Sequence, residues 1–351
     1  MPRLKRVEPY VSPGFMRLRR GRGFTYVHTD GGVAGRAERE RIADLAVPPA
    51  WEDVWIAEAE NAHILAVGVD AAGRRQYLYH PVWRERQDAE KFLRMTALAG
   101  VLPDARRRVG RDLALPELPR ERVLAAAFRT LDLGAIRIGS EEALAGHRSR
   151  GLTTLLVRNA ALDADTVRYR FRAKGGITQD VRMTDTALAA FVGRSLERSP
   201  SARLYAFADG RRMRAIGASD VNEDIRARTG GDYTAKDFRT LRGTVAAAER
   251  LAQLGPEGTA RARSRAVREA IVHASTVLGN TPAIAKASYV DPRVIAEYER
   301  GRTIELRGSR ETALLALLVE EETAEAAGGG GAPAPSSPRV EEARQRRRPA
   351  G

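Results

Sequence analysis

The sequence contains no cysteine, which excludes a disulfide framework, a thiolate metal site and a cysteine nucleophile. It has no long apolar run. The longest, Ala313 to Val319, falls far short of the ~20 residues a membrane span needs. The basic amino terminus is followed by no apolar stretch, so no signal peptide is expected and a cytoplasmic location is. Lysine is also scarce, with five residues beside 54 arginines. Arginine abundance of that kind reflects overall composition, so the few lysines are the basic positions to question first. What remains is a chain of 351 residues with 43 % hydrophobic content and a formal charge of +14. That content argues against wholesale disorder, the length favours two domains, and the charge points to a polyanion, most simply nucleic acid.

Two regions differ in pattern. The first 85 residues hold all three tryptophans and short alternating runs with turn signals: Phe24 to His28 before Asp30-Gly31-Gly32, then His63 to Val69 and Gln76 to Tyr79 around Asp70 and Gly73. These predict a small antiparallel sheet with hairpins, plus a short helix over Glu38 to Leu45. Beyond them the period becomes helical. A helix is expected from about Asp88, and another over Arg120 to Leu131. Three strands are expected at Thr153 to Arg158, Thr166 to Arg172 and Ile177 to Met183, with helices over Thr184–Leu196, Ala218–Arg228, Ala235–Leu254, Arg261–Leu278, Arg293–Arg300 and Arg310–Ala326. A Gly/Pro/Arg tail over 327–351 is expected to be disordered. It carries a net charge of +3, so the basicity belongs to the rest of the chain.

Four segments bear on chemistry. Lys174 precedes Gly175-Gly176 between two strands, which puts it at a hairpin tip. Arginine would serve a solvated turn equally well, but only lysine can be tuned to give up a proton. In Thr234-Ala235-Lys236-Asp237-Phe238-Arg239, Thr234 and Asp237 resemble a capping box. Lys236 and Arg239 then share a face of the first helical turn, beside free backbone N–H groups suited to phosphate; two ordinary surface charges would look the same. Arg137, flanked by Ile136 and Ile138, is expected to be half-buried and to need a partner; a structural salt bridge and a bound phosphate serve equally. Asn280 and Tyr289 bracket a short helix begun by Thr281-Pro282, and Tyr289 sits at a helix junction where a packed core tyrosine is the ordinary outcome.

Taken in order, Arg137, Lys174, Lys236/Arg239, Asn280 and Tyr289 resemble the poxvirus-type branch of DNA topoisomerase IB found in bacteria. Val47-Pro48-Pro49-Ala50-Trp51, Val54-Trp55-Ile56 and Gly73-Arg74-Arg75-Gln76-Tyr77-Leu78-Tyr79-His80-Pro81 resemble its amino-terminal signature, so the likeness runs from about Val47 to Tyr298. The resemblance implies an α+β fold of the tyrosine recombinase/topoisomerase IB type. A β-rich DNA-binding domain (1–85) would precede a mainly helical catalytic domain with a three-stranded sheet (86–326), with a hinge near 82–92. It also implies Tyr289 as nucleophile forming a 3′-phosphotyrosyl enzyme, Arg137 and Arg239 as clamps on the phosphate, Lys174 as general acid and Lys236 as its support. Neither ATP nor metal is required, and the partner is double-stranded DNA enclosed by a monomeric clamp. Gln76, Tyr77 and Tyr79 are the implied DNA contacts. Asn280 stands where the family commonly has His; it can donate a hydrogen bond but carries no charge. A tyrosine recombinase is the nearest alternative, although such enzymes usually carry His-x-x-Arg where this chain has Lys236-Asp237-Phe238-Arg239. A non-catalytic DNA binder would explain the charge but not the ordered series.

Overall fold

Five antiparallel strands in the order β2-β1-β3-β4-β5 form the sheet of the amino-terminal unit, Met1–Arg94. They are β1 (Gly14–Arg20), β2 (Gly23–His28), β3 (Glu52–Ala57), β4 (Ile64–Val69) and β5 (Arg75–Tyr79), with helix α1 (Arg36–Asp44) between β2 and β3. The computed structural model describes residues 3–328, so the disorder expected of the terminal tail lies almost wholly outside the described residues. Alternation along the strands separates two apolar clusters. Phe15, Val54, Ile56 and Ala66 pack with Ile42 of α1, while Trp55, Ala57, Ile64 and Val67 form a second cluster. Strands β1 and β3 were not among the expected ones; β2, β4, β5 and α1 were, within a residue or two.

Helix α2 runs from Pro81 to Leu113, far longer than expected. It begins at a proline, whose missing N–H costs nothing in the first turn, and contains Pro103. The division between the two compact units falls within it, at Arg94/Met95. The hinge segment expected at 82–92 is therefore helical.

In the second unit, α3 (Arg120–Gly134) and α4 (Glu141–His147) precede a three-stranded antiparallel sheet of β6 (Ala160–Asp163), β7 (Thr166–Arg172) and β8 (Thr178–Thr184). Helix α5 (Thr186–Leu196), a two-stranded hairpin of β9 (Ala206–Asp209) and β10 (Arg212–Ala215), and α6 (Ala218–Thr229) follow. Then come α7 (Ala235–Leu254), α8 (Ala260–Leu278), α9 (Pro282–Ser288), α10 (Pro292–Glu299) and α11 (Arg310–Gly328). The chain is thus α+β as expected, with one correction in the sheet. The stretch expected as a strand at Thr153–Arg158 forms two 3-10 turns, Leu152–Thr154 and Val157–Asn159, and the third strand starts at Ala160.

Helix α7 lies at the centre of this unit and is buried round most of its circumference, packed on α3, α8, α10 and α11. Its entry is fixed as the capping box requires: the Asp237 carboxylate accepts from both the N–H (2.8 Å) and the hydroxyl (3.0 Å) of Thr234. A buried ionic network ties α7 to its neighbours. Arg106 of α2 donates two hydrogen bonds to Asp132 of α3 and one, at 2.8 Å, to Glu311 of α11, and Arg242 of α7 reaches the same two carboxylates.

Burial raises the Glu311 pKa, but its bonds and charge contacts with Arg106, aided by Arg242, outweigh this and hold the carboxyl down to about 2. Because the folded-state pKa is depressed, the stabilisation is complete above the ordinary value of 4.5 and is lost as pH falls towards 2. Its ceiling is about 3 kcal/mol. In urea unfolding at pH 7, Glu311→Gln is expected to be less stable than wild type by about 2–3 kcal/mol. The gap should shrink steadily as pH falls from 4.5; a gap that stays constant would show that the carboxylate charge is not its source.

Candidate active site

Arg239, on the second turn of α7, is 3 % exposed. Its guanidinium is spread between elements, with Nη1 donating to the Ala135 carbonyl after α3 and Nη2 to the Leu278 carbonyl at the end of α8 (3.0 Å). Its Nε is buried and has no hydrogen-bond partner among the described residues. A fork of five donors on three nitrogens can span two carbonyls of different elements and still present a further N–H, whereas the three donors of a lysine radiate from one atom.

Tyr289 ends α9, where its ring lies 5.0 Å from the Arg239 guanidinium carbon. The backbone around it is pinned. Its N–H donates to Ala285 O (3.0 Å), its carbonyl accepts from the Thr244 hydroxyl (3.0 Å), and the same hydroxyl accepts from the Asp291 N–H (3.1 Å). Gly243 makes this approach possible: a Cβ there would stand 2.9 Å from the Tyr289 carbonyl and 3.0 Å from its Cβ. Burial by itself raises the phenol pKa, but the charge of Arg239, followed by those of Arg137 and Lys236, draws it below its ordinary value of 10.0. Other tyrosines move the opposite way. Burial pushes Tyr169 up to about 12 and raises Tyr205 and Tyr298.

Arg137 sits on the loop after α3, half-buried as expected. No salt bridge holds it among the described residues, and its Nη1 is buried without a partner there. The loop itself is fixed by backbone contacts. Leu152 N–H donates to Arg137 O and Thr153 N–H to Ile138 O, both at 2.9 Å. A Cβ on Gly151 would meet Arg137 O and the Gly139 nitrogen at 2.5 Å each, so the two strands of chain touch only because both positions are glycine. Arg137 and Arg239 lie near enough that the charge of the first, after burial, helps to depress the pKa of the second. Two cations are thus held side by side.

Asn280 follows Gly279, the left-handed residue that stops α8 (φ 59°). Both polar atoms of its side chain are buried and unpaired among the described residues. It lines a cleft of about 550 Å³ between β8 and the end of α8, together with Gln179, Thr178, Ser275 and Thr276. Lys236 is exposed on the first turn of α7, and Lys174 is exposed at the β7–β8 tip, where Gly175 (φ 80°) and Gly176 (φ 77°) make the turn. His273 lies on an exposed face of α8. The structure therefore gathers Tyr289, Arg239, Arg137 and Lys236 into one electrostatic neighbourhood, and ties Asn280 to it through Leu278 and Gly279. Among the described residues no contact joins Lys174 to Tyr289.

Three residues of this site were not singled out in the sequence: Gln179, Thr244 and Gly243. Thr244 and Gly243 fall on the helix turn after Arg239, so helical spacing was the available signal. In the amino-terminal unit, Tyr77 and Tyr79 share a face of β5 as expected, their rings stacked at 5.8 Å and 14°. Gln76 is engaged locally, its Nε2 donating to the Asp70 carboxylate at 2.8 Å. Among the described residues no helix is long and apolar enough to cross a membrane.

The chain is similar to known proteins along most of its length. Residues 23–70 match the family model "Bacterial DNA topoisomerase IB, N-terminal domain". Residues 80–305, well over half of the chain, match "Eukaryotic DNA topoisomerase I, catalytic core". DNA topoisomerase 1B of Acanthamoeba polyphaga mimivirus is 25 % identical over 292 residues, covering 81 % of this chain and 87 % of the viral protein. All nine candidate site residues lie within these two matches or the few positions between them, and the chain belongs to the type IB DNA topoisomerase family.

Proposed function

We propose that the chain relaxes supercoiled duplex DNA, with Tyr289 as the nucleophile. The Tyr289 oxygen attacks a backbone phosphorus as its proton passes to water. The P–O5′ bond breaks, and the ammonium of Lys174 delivers a proton to the departing 5′-oxygen, supported by Lys236. The product is a 3′-phosphotyrosyl enzyme and a free 5′-hydroxyl. The cut strand swivels about the intact one, and the hydroxyl attacks back to restore the phosphodiester. Each step exchanges one phosphoester for another, so the bond energy is kept and no nucleotide or metal is required.

One observation carries this reading. Arg137 Nη1, Arg239 Nε and the Asn280 amide are buried polar groups left unpaired among the described residues, and the two arginines act on a phenol that is easier to ionise than an ordinary one. An unsatisfied buried polar group costs about 1–3 kcal/mol. Two such arginine donors beside one tyrosine, with the Asn280 amide just past the Leu278 carbonyl that Arg239 holds, suit a partner with several acceptor oxygens. A phosphodiester passing through a five-coordinate state supplies those oxygens, and donors fixed in advance stabilise the charge that builds on them. The test is to stop the enzyme with detergent on supercoiled plasmid, digest it and map the DNA-linked peptide. The expected adduct joins a 3′-phosphate to Tyr289. A 5′ linkage, or an adduct on another residue, would refute the assignment.

We further propose that the protein works as a monomer whose two units close around duplex DNA in the nucleoid. Tyr77 and Tyr79 offer an aromatic face on β5, and Gln76 is suited to an adenine edge once released from Asp70. The positive charge makes such binding strongly salt-dependent. Asn280 has no proton to exchange near neutrality. The cleavage rate is accordingly expected to show no step near pH ~6.5, whereas Asn280→His should introduce one. A wild-type step at that pH, removed by substituting His273, would overturn the role given to Asn280.

A further inference from the structure

Gln179 is 5 % exposed on β8, five residues past Lys174. Its Nε2 donates to the Leu278 carbonyl (3.3 Å), the same oxygen that accepts from Arg239 Nη2 (3.0 Å). Its Oε1 is buried without a partner among the described residues, and the side chain lines the cleft it shares with Asn280. The contact depends on glycine at the next position: a Cβ on Gly279 would lie 2.1 Å from Gln179 Nε2. On the other side, the hairpin is closed rigidly above Gln179. Ala173 N–H donates to Ile177 O (2.8 Å), Gly176 N–H to Ala173 O (3.1 Å), and Phe171 pairs with Gln179 in register. One carbonyl therefore anchors both the phosphate-clamping arginine and the strand that follows the exposed lysine.

We infer that Gln179 is a positioning residue: through the Leu278 carbonyl it sets the Lys174 hairpin relative to Arg239 and Asn280, so that the lysine meets the departing 5′-oxygen. This rests on the role proposed above for Lys174. An exposed lysine on a two-glycine turn needs a fixed base. A misplacement of about 1 Å at such a base slows proton delivery by up to about 100-fold.

The test compares leaving groups on a duplex oligonucleotide carrying the enzyme's mapped cleavage site. One substrate is all-oxygen; in the other, sulfur replaces the bridging 5′-oxygen. A thiol of pKa ~8.5 departs as thiolate without a proton donor, whereas an alkoxide, close to water at ~15.7, does not. Gln179→Met keeps the length of the side chain but deletes the donor. It is expected to slow single-turnover cleavage of the oxygen substrate by about 10- to 100-fold, with DNA affinity unchanged. Most of that rate should return on the sulfur substrate. An equal defect on both substrates, or none on either, would overturn the inference. Lys174→Ala is the control: if sulfur fails to rescue it, the general-acid role of Lys174 fails instead. Should Gln179→Met not fold, as judged by its thermal transition, Gly279→Ala displaces the same amide from the opposite side and must give the same pattern.

Discussion

Tyr289→Phe is expected to bind supercoiled DNA as tightly as wild type, relax none of it and form no covalent adduct. The substitution removes one oxygen and leaves the surroundings intact. The backbone contacts to Ala285 and Thr244 do not involve the side chain, and a phenylalanine ring still lies against the Arg239 guanidinium at about the 5.0 Å found for tyrosine. What disappears is the group whose ionisation the three cations favour. Loss of a covalent nucleophile costs a factor of about 10⁴ or more in turnover. Three other tyrosines of the helical unit are engaged elsewhere. Tyr169 and Tyr205 are fully buried and bonded to each other (2.9 Å), and Tyr298 donates to Gly255 O (2.8 Å). Plasmid relaxation, gel retardation and adduct formation read the three expectations separately. A variant that still relaxes supercoils would end the mechanism; one that no longer binds would give Tyr289 a structural role as well.

The parts of the site that could be read from sequence are those governed by local rules. Helix α7 begins and ends where Thr234, Asp237 and Gly255 dictate, and that boundary alone placed Lys236 and Arg239 on the first turns. Strand β7 and the Gly175-Gly176 turn followed from alternation and from the freedom of glycine at positive φ. Errors arose where distant chain decides. Thr153 to Arg158 has the β-branched character of a strand, but Gly151 is pressed against Arg137 and Gly139. The hydrogen bonds of Leu152 and Thr153 go to that loop instead of to a neighbouring strand. Helix α2 was read too late because Asp88 is a plausible cap, whereas Pro81 starts the helix. The β9–β10 hairpin was missed even though Asp209-Gly210 is an ordinary turn signal. Gln179 could not have been found this way. Its meaning lies in a carbonyl 99 residues further along the chain.

Replacing Arg239 is expected to be nearly as damaging as replacing the nucleophile, and Lys is not expected to repair it. Arg239→Ala removes a clamp on the transition-state charge, which costs about 10²- to 10³-fold in cleavage rate. It also leaves the Ala135 carbonyl without its buried donor, a loss of about 1–3 kcal/mol in the helical unit, and leaves the Leu278 carbonyl to Gln179 alone. Lysine keeps the charge but has a single nitrogen. Its three N–H groups radiate from one atom, so it cannot span both carbonyls and the phosphate as the planar guanidinium does. A second readout separates charge from geometry. Arg239 is the chief group drawing the Tyr289 phenol below its ordinary pKa. Without it, burial and the more distant cations remain, so ionisation moves to higher pH. Single-turnover cleavage between pH 6 and about 10 should then rise later in Arg239→Ala than in wild type, with a smaller delay in Arg239→Lys. If Arg239→Lys retained most of the wild-type rate, charge alone would suffice and the forked geometry would have no catalytic purpose. If the pH profile did not move in either variant, the phenol would be activated by some group other than the arginine lying over its ring.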